Sequence, residues 1–241
     1  MGKVLSIDLA LKTVRNFGIC LLERNQAQVG ACSYLRPEQL GLADPPVAIA
    51  AADAIYELCV KEGIRLVILD GPQGWKDPAS GLAHSRLCER IVNAPAKTGT
   101  VGQVKPASYL RFVEFSIAIF ARLVKRGAAL AESPVIQLPR EKLLVVESLP
   151  LSAWRKLKIP ALPAKAKSTM SDCENRFEEL KRRVGPNLAM PSSHDELQAL
   201  VAGLGGIAVL AQDHDGYVAE GAPPFEHKGV WVEGFIVNPK A

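Results

Sequence analysis

Four carboxylates sit where apolar segments end, and acids placed that way can do metal chemistry. Asp8 closes Val4-Leu5-Ser6-Ile7, Asp70 closes Leu66-Val67-Ile68-Leu69, and Glu147 closes Leu143-Leu144-Val145-Val146. Asp195, in Ser193-His194-Asp195-Glu196, opens a long apolar segment. The first three runs read as buried strands and the fourth as a helix. A charge at the end of a buried strand costs desolvation unless something compensates it. If the four converge, the natural compensator is a hard divalent cation, Mg2+ or Mn2+, because oxygen ligands suit these ions. That is the chemistry of metal-assisted phosphodiester cleavage, with Asp8 bridging two metals from the first strand.

Each acid also has a plainer reading. Asp8 could be a polar strand end bonded to Lys12 or Thr13, and Asp70 a turn cap for Gly71-Pro72. Glu147 could pair with an arginine such as Arg86. Asp195, at the second position of a helix, would favour the dipole in any case, and Glu196 reads as the capping-box partner of Ser193.

Candidate substrate contacts are basic and aromatic. Arg86 lies one helical turn from Glu89 and could bind a phosphate or form an internal ion pair. Lys12 could approach a phosphate or simply face solvent. Between Leu151 and Gly185 lie Arg155, Lys156, Lys158, Lys165, Lys167, Arg176, Lys181, Arg182 and Arg183. Only Asp172, Glu174, Glu178 and Glu179 oppose them there, so the segment reads either as a solvated basic face or as a nucleic-acid track. Trp75 and Tyr109 could stack on bases or pack a lid. His194 could shuttle protons, although a lone His at a helix start is commonly structural. Ala96-Lys97-Thr98-Gly99 lacks the glycines of a phosphate loop.

The elements that must position these groups follow from periodicity. Three strands are predicted over Lys3 to Leu9, Phe17 to Glu23 and Gln28 to Tyr34, joined as an antiparallel meander. Pro45-Pro46 introduces a helix to Glu62, with Ile49, Ala52, Ile55, Tyr56 and Cys59 at helical spacing and Gly63 as its stop. Arg65 to Asp70 is apolar throughout, as expected of a parallel strand covered on both faces. Residues 71–105 form a lid-like insertion rich in glycine and proline, with a short helix over Leu82 to Val92. Pro106 starts a helix to Arg126, and the fifth strand covers Lys142 to Glu147. Residues 151–191 form a basic helical insertion, whose helix is opened by the capping box Ser171-Asp172-Cys173-Glu174. The Ala- and Gly-rich helix from Ser193 to Gln212 must pack closely on the sheet, and a strand is predicted over Val230 to Val237. This order matches a ribonuclease H-like α/β fold, a mixed five-stranded sheet with helices on both faces. Asp8 and Asp70 would then be neighbours.

The chain has 241 residues, 48% of them hydrophobic, with a formal charge of +4. One domain spanning 1–241 with insertions accommodates that length, and the apolar content argues against disorder. Five cysteines without a CxxC pair suggest reduced thiols and argue against zinc. Met1-Gly2-Lys3 runs straight into a predicted strand, so no signal peptide is expected. Leu197 to Ala211 is short for a bilayer span and is flanked by acids. The expectation is a soluble cytoplasmic protein.

Six motifs in order then carry a resemblance. They are Ser6-Ile7-Asp8-Leu9-Ala10, Leu69-Asp70-Gly71-Pro72, Arg86-Leu87-Cys88-Glu89-Arg90, Val146-Glu147-Ser148-Leu149-Pro150, His194-Asp195-Glu196-Leu197-Gln198-Ala199-Leu200 and Glu233-Gly234-Phe235-Ile236-Val237-Asn238-Pro239. Over nearly its whole length the chain resembles the domain-of-unknown-function family numbered four hundred and twenty-nine, predicted nucleases with a ribonuclease H-like fold. The resemblance implies a metal-dependent nuclease. Members often carry Asp-Ala or a second Asp after the His-Asp pair, whereas Glu196-Leu197-Gln198 follows here. Two other readings stay open: a non-catalytic ribonuclease H-like binding or scaffold module, and an actin-like phosphotransferase suggested by Asp8 followed by Lys12-Thr13. A homodimer would suit an enzyme acting on two strands.

Overall fold

The computed structural model describes residues 2–241. Strands β1 (Lys3–Asp8), β2 (Gly18–Asn25) and β3 (Gln28–Tyr34) form the expected meander. Helix α1 (Ala48–Glu62) follows and ends at Gly63, whose φ of 63° is the left-handed stop its lack of a Cβ permits. Next comes β4 (Leu66–Asp70), parallel to β1. Residues 71–105 hold a short α2 (Leu87–Ile91) and a two-stranded hairpin, β5 (Lys97–Thr98) with β6 (Val104–Lys105). Helix α3 (Leu110–Lys125), the brief β7 (Ala129–Leu130) and β8 (Leu144–Ser148) complete the central part. The remainder is α4 (Pro150–Lys156), α5 (Met170–Val184), α6 (His194–Ala211), β9 (Tyr217–His227) and β10 (Val230–Pro239).

The main sheet runs β3-β2-β1-β4-β8-β10-β9, with β7 paired to β8 off that path. Its first five strands have the ribonuclease H-like order, with β1, β4 and β8 parallel and β2 antiparallel to β1. One core lies under α4, α5 and α6, where Val4, Ile68, Val146, Trp154 and Leu200 meet. The other lies under α1 and α3, where Leu5, Val67, Val145, Ile55 and Phe120 meet. Neighbouring strand residues thus feed opposite cores, as the two-residue repeat of a strand requires. Among the described residues, no helix is long and apolar enough to cross a membrane.

The sheet extends beyond its five expected members. Strand β10 falls on the strand predicted over Val230 to Val237 and lies parallel to β8 through Ile236 opposite Glu147, and the unpredicted β9 pairs with it as a hairpin. Strand β9 contains Gly221 and Pro223-Pro224, a composition that argues against a central strand but suits an edge. Helix α4, with Pro150 at its first turn, falls where no helix was expected. The cap of α5 also differs. Thr169, not Ser171, is the N-cap, and it exchanges hydrogen bonds with Asp172.

Helix α6 sits very close to the sheet because it is lined with small residues. A Cβ on Gly203 would come within 2.8 Å of the Ser6 Cβ, and one on Gly206 within 2.8 Å of a Val4 methyl. This close seat brings the N-terminal turn of α6 to the ends of β1 and β4.

Candidate active site

Asp8 and Asp70 are paired in register at the ends of two parallel strands. Paired residues on parallel strands project to the same face, so the carboxylates stand side by side, close enough to share a proton. Desolvation by burial is the largest influence on both. It pushes the Asp70 carboxyl up to about 7, and the Glu147 charge adds to the rise while its bond with Asp8 opposes it. Asp8 is raised well above the usual carboxylate range by burial, then by Asp70 and Asp195. Two acids competing for one desolvated space retain a proton unless a cation arrives.

Asp195 comes from the first turn of α6, capped by Ser193, whose Oγ accepts the Glu196 N–H at 3.1 Å. The Glu196 carboxylate accepts from the Ser192 N–H and hydroxyl rather than from Ser193, so it is occupied in the cap. Burial pushes the Asp195 carboxyl up, yet hydrogen bonds from His194 and Lys165 leave it below its ordinary range. Lys165 forms a direct ion pair with Asp195, and its charge also reaches Asp8. It lies on a short helical turn, residues Lys165–Lys167, within the expected basic insertion. The chain folds an ammonium onto the acids from a loop, a contact that no local sequence signal announces.

Gly18 makes the approach of Asp195 feasible. It pairs with Asp8 in the sheet, and a Cβ there would lie 2.0 Å from the Asp195 carbonyl oxygen. Gly18→Ala must therefore push the start of α6 outward. The expected cost is about 1–3 kcal/mol in urea denaturation, together with a weaker response of melting temperature to Mn2+.

Glu147 does not join this group. Register places it opposite Leu69, while Ser148 stands opposite Asp70. Strand alternation then turns Glu147 to the other face. There Arg86 clamps it through two charged hydrogen bonds, Nη1 to Oε2 at 2.7 Å and Nη2 to Oε1 at 2.6 Å. The Gln73 N–H donates to Oε2 as well, at 2.9 Å. Burial raises its carboxyl, and Arg86 opposes that rise.

The same geometry corrects the expectation for Arg86 as a phosphate ligand. Its side chain is buried, and Nε and Nη2 also donate to Glu89, at 3.2 and 3.0 Å. Glu89 in turn accepts the backbone N–H of Thr98 at 2.8 Å. A guanidinium holding two carboxylates has no fork left for a phosphate. The Glu147–Arg86–Glu89 triad instead ties the 71–105 insertion to β8.

The other candidates divide similarly. Lys12 is exposed, and Thr13 bonds Asp44 rather than Asp8. Arg155 donates to the Val92 and Asn93 carbonyls, at 3.3 and 3.2 Å, and Lys156 pairs with Glu220 at 2.6 Å. Both are structural ties as they stand. Nε2 of His194 lies 3.1 Å from the Pro163 carbonyl. Trp75 is buried against Val104, Val113, Ile117 and Val232, so it packs the insertion and cannot stack on a base. Tyr109 is exposed and borders a cleft that opens at Asp70.

The donor set suits a hard divalent cation in one specific way. Among the described residues, no three His, Cys, Asp or Glu side chains form a ready-made cage. Magnesium rarely needs one, because it commonly takes one or two carboxylates and completes its shell with water and phosphate. The Asp8–Asp70 pair, both carboxyls pushed up by burial, with the Lys165 ammonium on Asp195, is an acidic oxygen site that one protein cation partly balances.

The strand order, with helices on both faces of the sheet, gives the chain a ribonuclease H-like α/β fold. No protein-family model matches the chain, and no curated protein matches it. Among solved structures it is similar to Thermus thermophilus RuvC in complex with Holliday junction substrate, at 10% identity and a TM-score of 0.41. That match covers 88% of this chain and 97% of the other. A second RuvC structure from Thermus thermophilus matches at 11% identity and a TM-score of 0.38, covering 86% of this chain and 95% of that one.

Proposed function

We propose that this chain is a Mg2+- or Mn2+-dependent nuclease that hydrolyses phosphodiester bonds in nucleic acid, as its motif resemblance to family four hundred and twenty-nine implies. The observation that carries the reading is the in-register Asp8–Asp70 pair, with Asp195 delivered beside it by α6. Asp8 and Asp70 would hold the cation, and Asp195 would complete the set on leaving Lys165. A cation held there supplies an activated water and charge stabilisation for the leaving oxygen.

The protein's own groups do the rest. Asp8 and Asp70 must shed their shared proton before they can ligate, so activity should rise as pH passes about 7. The Lys165 ammonium, half-exposed, is free to turn from Asp195 toward a substrate phosphate. The Glu147–Arg86–Glu89 triad holds the wall of the cleft beside Asp70.

The test is a panel of end-labelled single-stranded, duplex and branched DNA and RNA, incubated with Mg2+ or Mn2+ or with a chelator. Metal-dependent scission of at least one substrate is expected. Metal-independent scission, or none across the panel, would count against the reading.

A further inference from the structure

Cys20 and Cys32 bring two thiols together on one face of the sheet. Cys20 lies on β2 opposite Tyr34, and Cys32 lies on β3 opposite Leu22, so the two are diagonal neighbours. Diagonal side chains on one face are within reach of each other. Here the sulfurs stand 3.6 Å apart, in hydrogen-bond contact. Both are free thiols.

The two differ in what reaches them. Cys20 is fully buried under α6, in the core with Leu197 and Leu200. Cys32 is only half-buried, whereas Cys59, Cys88 and Cys173 are buried like Cys20. Tyr34 donates to the Ala189 carbonyl at 2.9 Å, which lays the segment after α5 beside the pair. The hydrogen bond with Cys20 holds the Cys32 thiol below its ordinary range; partial burial opposes this, and Tyr34 and the Ala189 backbone assist it. Burial first, and then Cys32, push the Cys20 thiol up. An accessible sulfur with thiolate character beside a second thiol is where oxidation starts at one sulfur and is finished by the other.

A disulfide needs its sulfurs about 2.05 Å apart, so the pair must close further. Strand β3 is an edge strand of the main sheet. It can shift toward β2 without breaking a ladder on its outer side.

We propose that Cys32 and Cys20 are a pair reactive toward hydrogen peroxide, which converts to a disulfide linking β3 to β2. The Cys32 thiolate attacks one peroxide oxygen. The O–O bond breaks, and the leaving hydroxide takes up a proton to become water. Cys32 is then a sulfenic acid. The Cys20 sulfur attacks the Cys32 sulfur, the S–O bond breaks, and the hydroxyl leaves as water with the Cys20 proton. Two thiols are oxidised to one disulfide, and the peroxide is reduced to water. The chemistry uses none of the acids above and does not rest on the nuclease reading.

The experiment treats the reduced full chain with hydrogen peroxide and maps its unreduced peptides by mass spectrometry. A Cys20–Cys32 linkage is expected, with loss of two hydrogens from the chain and reversal by dithiothreitol. Dimedone present during the reaction should instead label Cys32, about tenfold faster than the buried cysteines. Cys20→Ser keeps a donor beside Cys32 and should accumulate the dimedone-reactive sulfenic acid. Cys32→Ser should give neither the linkage nor a label on Cys20. Circular dichroism checks that both variants fold; if Cys20→Ser does not, labelling and linkage in the wild type decide the matter. No linkage in the wild type, a linkage only between separate chains, or first labelling at any cysteine other than Cys32 would overturn the proposal.

Discussion

Asp8→Asn should cost the protein its cleavage activity while making the metal-free fold more stable. Loss of a bridging carboxylate removes the charge that holds the cation, an effect of several kcal/mol, or roughly a thousandfold in rate. Stability moves the other way. In the wild type the folded Asp70 carboxyl is raised to about 7 from a usual 3.8, burial being the first cause. A raised folded value means stability that is complete below about pH 4 and is lost as pH climbs through about 7. The metal-free wild type should therefore soften between pH 5 and pH 8. Asp8 is itself raised well above its ordinary value, by burial first and then by Asp70 and Asp195, so replacing it with a neutral amide removes its own cost of ionisation and flattens the overall slope, a gain on the order of 2 kcal/mol at pH 8. Urea denaturation of both proteins at pH 5 and pH 8, with chelator, would check this. Equal pH slopes would show that the Asp8 carboxyl costs the fold nothing to ionise.

Arg86→Ala should be the most damaging change away from the acids that face the cation. The side chain is 1% exposed, and its ion-pair partners are two buried carboxylates, Glu89 and Glu147. Removing one partner of a buried ion pair typically costs about 3–5 kcal/mol, because the remaining charge stays desolvated and unpaired. Here two charges are stranded, close to Asp70. The variant should lose most of its stability at pH 8 and recover part of it on acidification, since unpaired buried carboxylates have raised folded values and are relieved by a proton. Arg86→Lys should rescue little, because one ammonium cannot reproduce a fork bonded to two carboxylates. The midpoint of urea unfolding, measured at pH 5 and pH 8, reads both effects. A midpoint unchanged from wild type would mean that the triad contributes nothing to the fold.

Much of this was legible in the residues themselves. Asp8 and Asp70 each close a continuous apolar run, and once β1 and β4 are parallel neighbours their adjacency follows. Gly63 and Ser193 marked helix ends through local chemistry alone. Glu147 looked equivalent to the aspartates because it too ends an apolar run. Strand β8 continues one residue further to Ser148, and that single step turns Glu147 to the opposite face. Arg86 offered two partners in sequence, a phosphate or a carboxylate, and only the packing of the insertion against β8 selects the carboxylates. Lys165 was one basic residue among nine in its segment; its contact with Asp195 depends on the path of a loop, which leaves no periodic trace. Strand β9 was hidden by Pro223-Pro224, tolerated because an edge strand has no partner on its outer side.

The most direct test of the central claim is a calorimetric titration of the full chain with Mn2+ at pH 8, wild type against Asp8→Asn. The arrangement of Asp8, Asp70 and Asp195 predicts saturable binding in the wild type that disappears in the variant and weakens as pH falls below about 7. Binding that survives Asp8→Asn unchanged would contradict it. So would a wild type that binds no Mn2+ even with an uncleavable phosphodiester present.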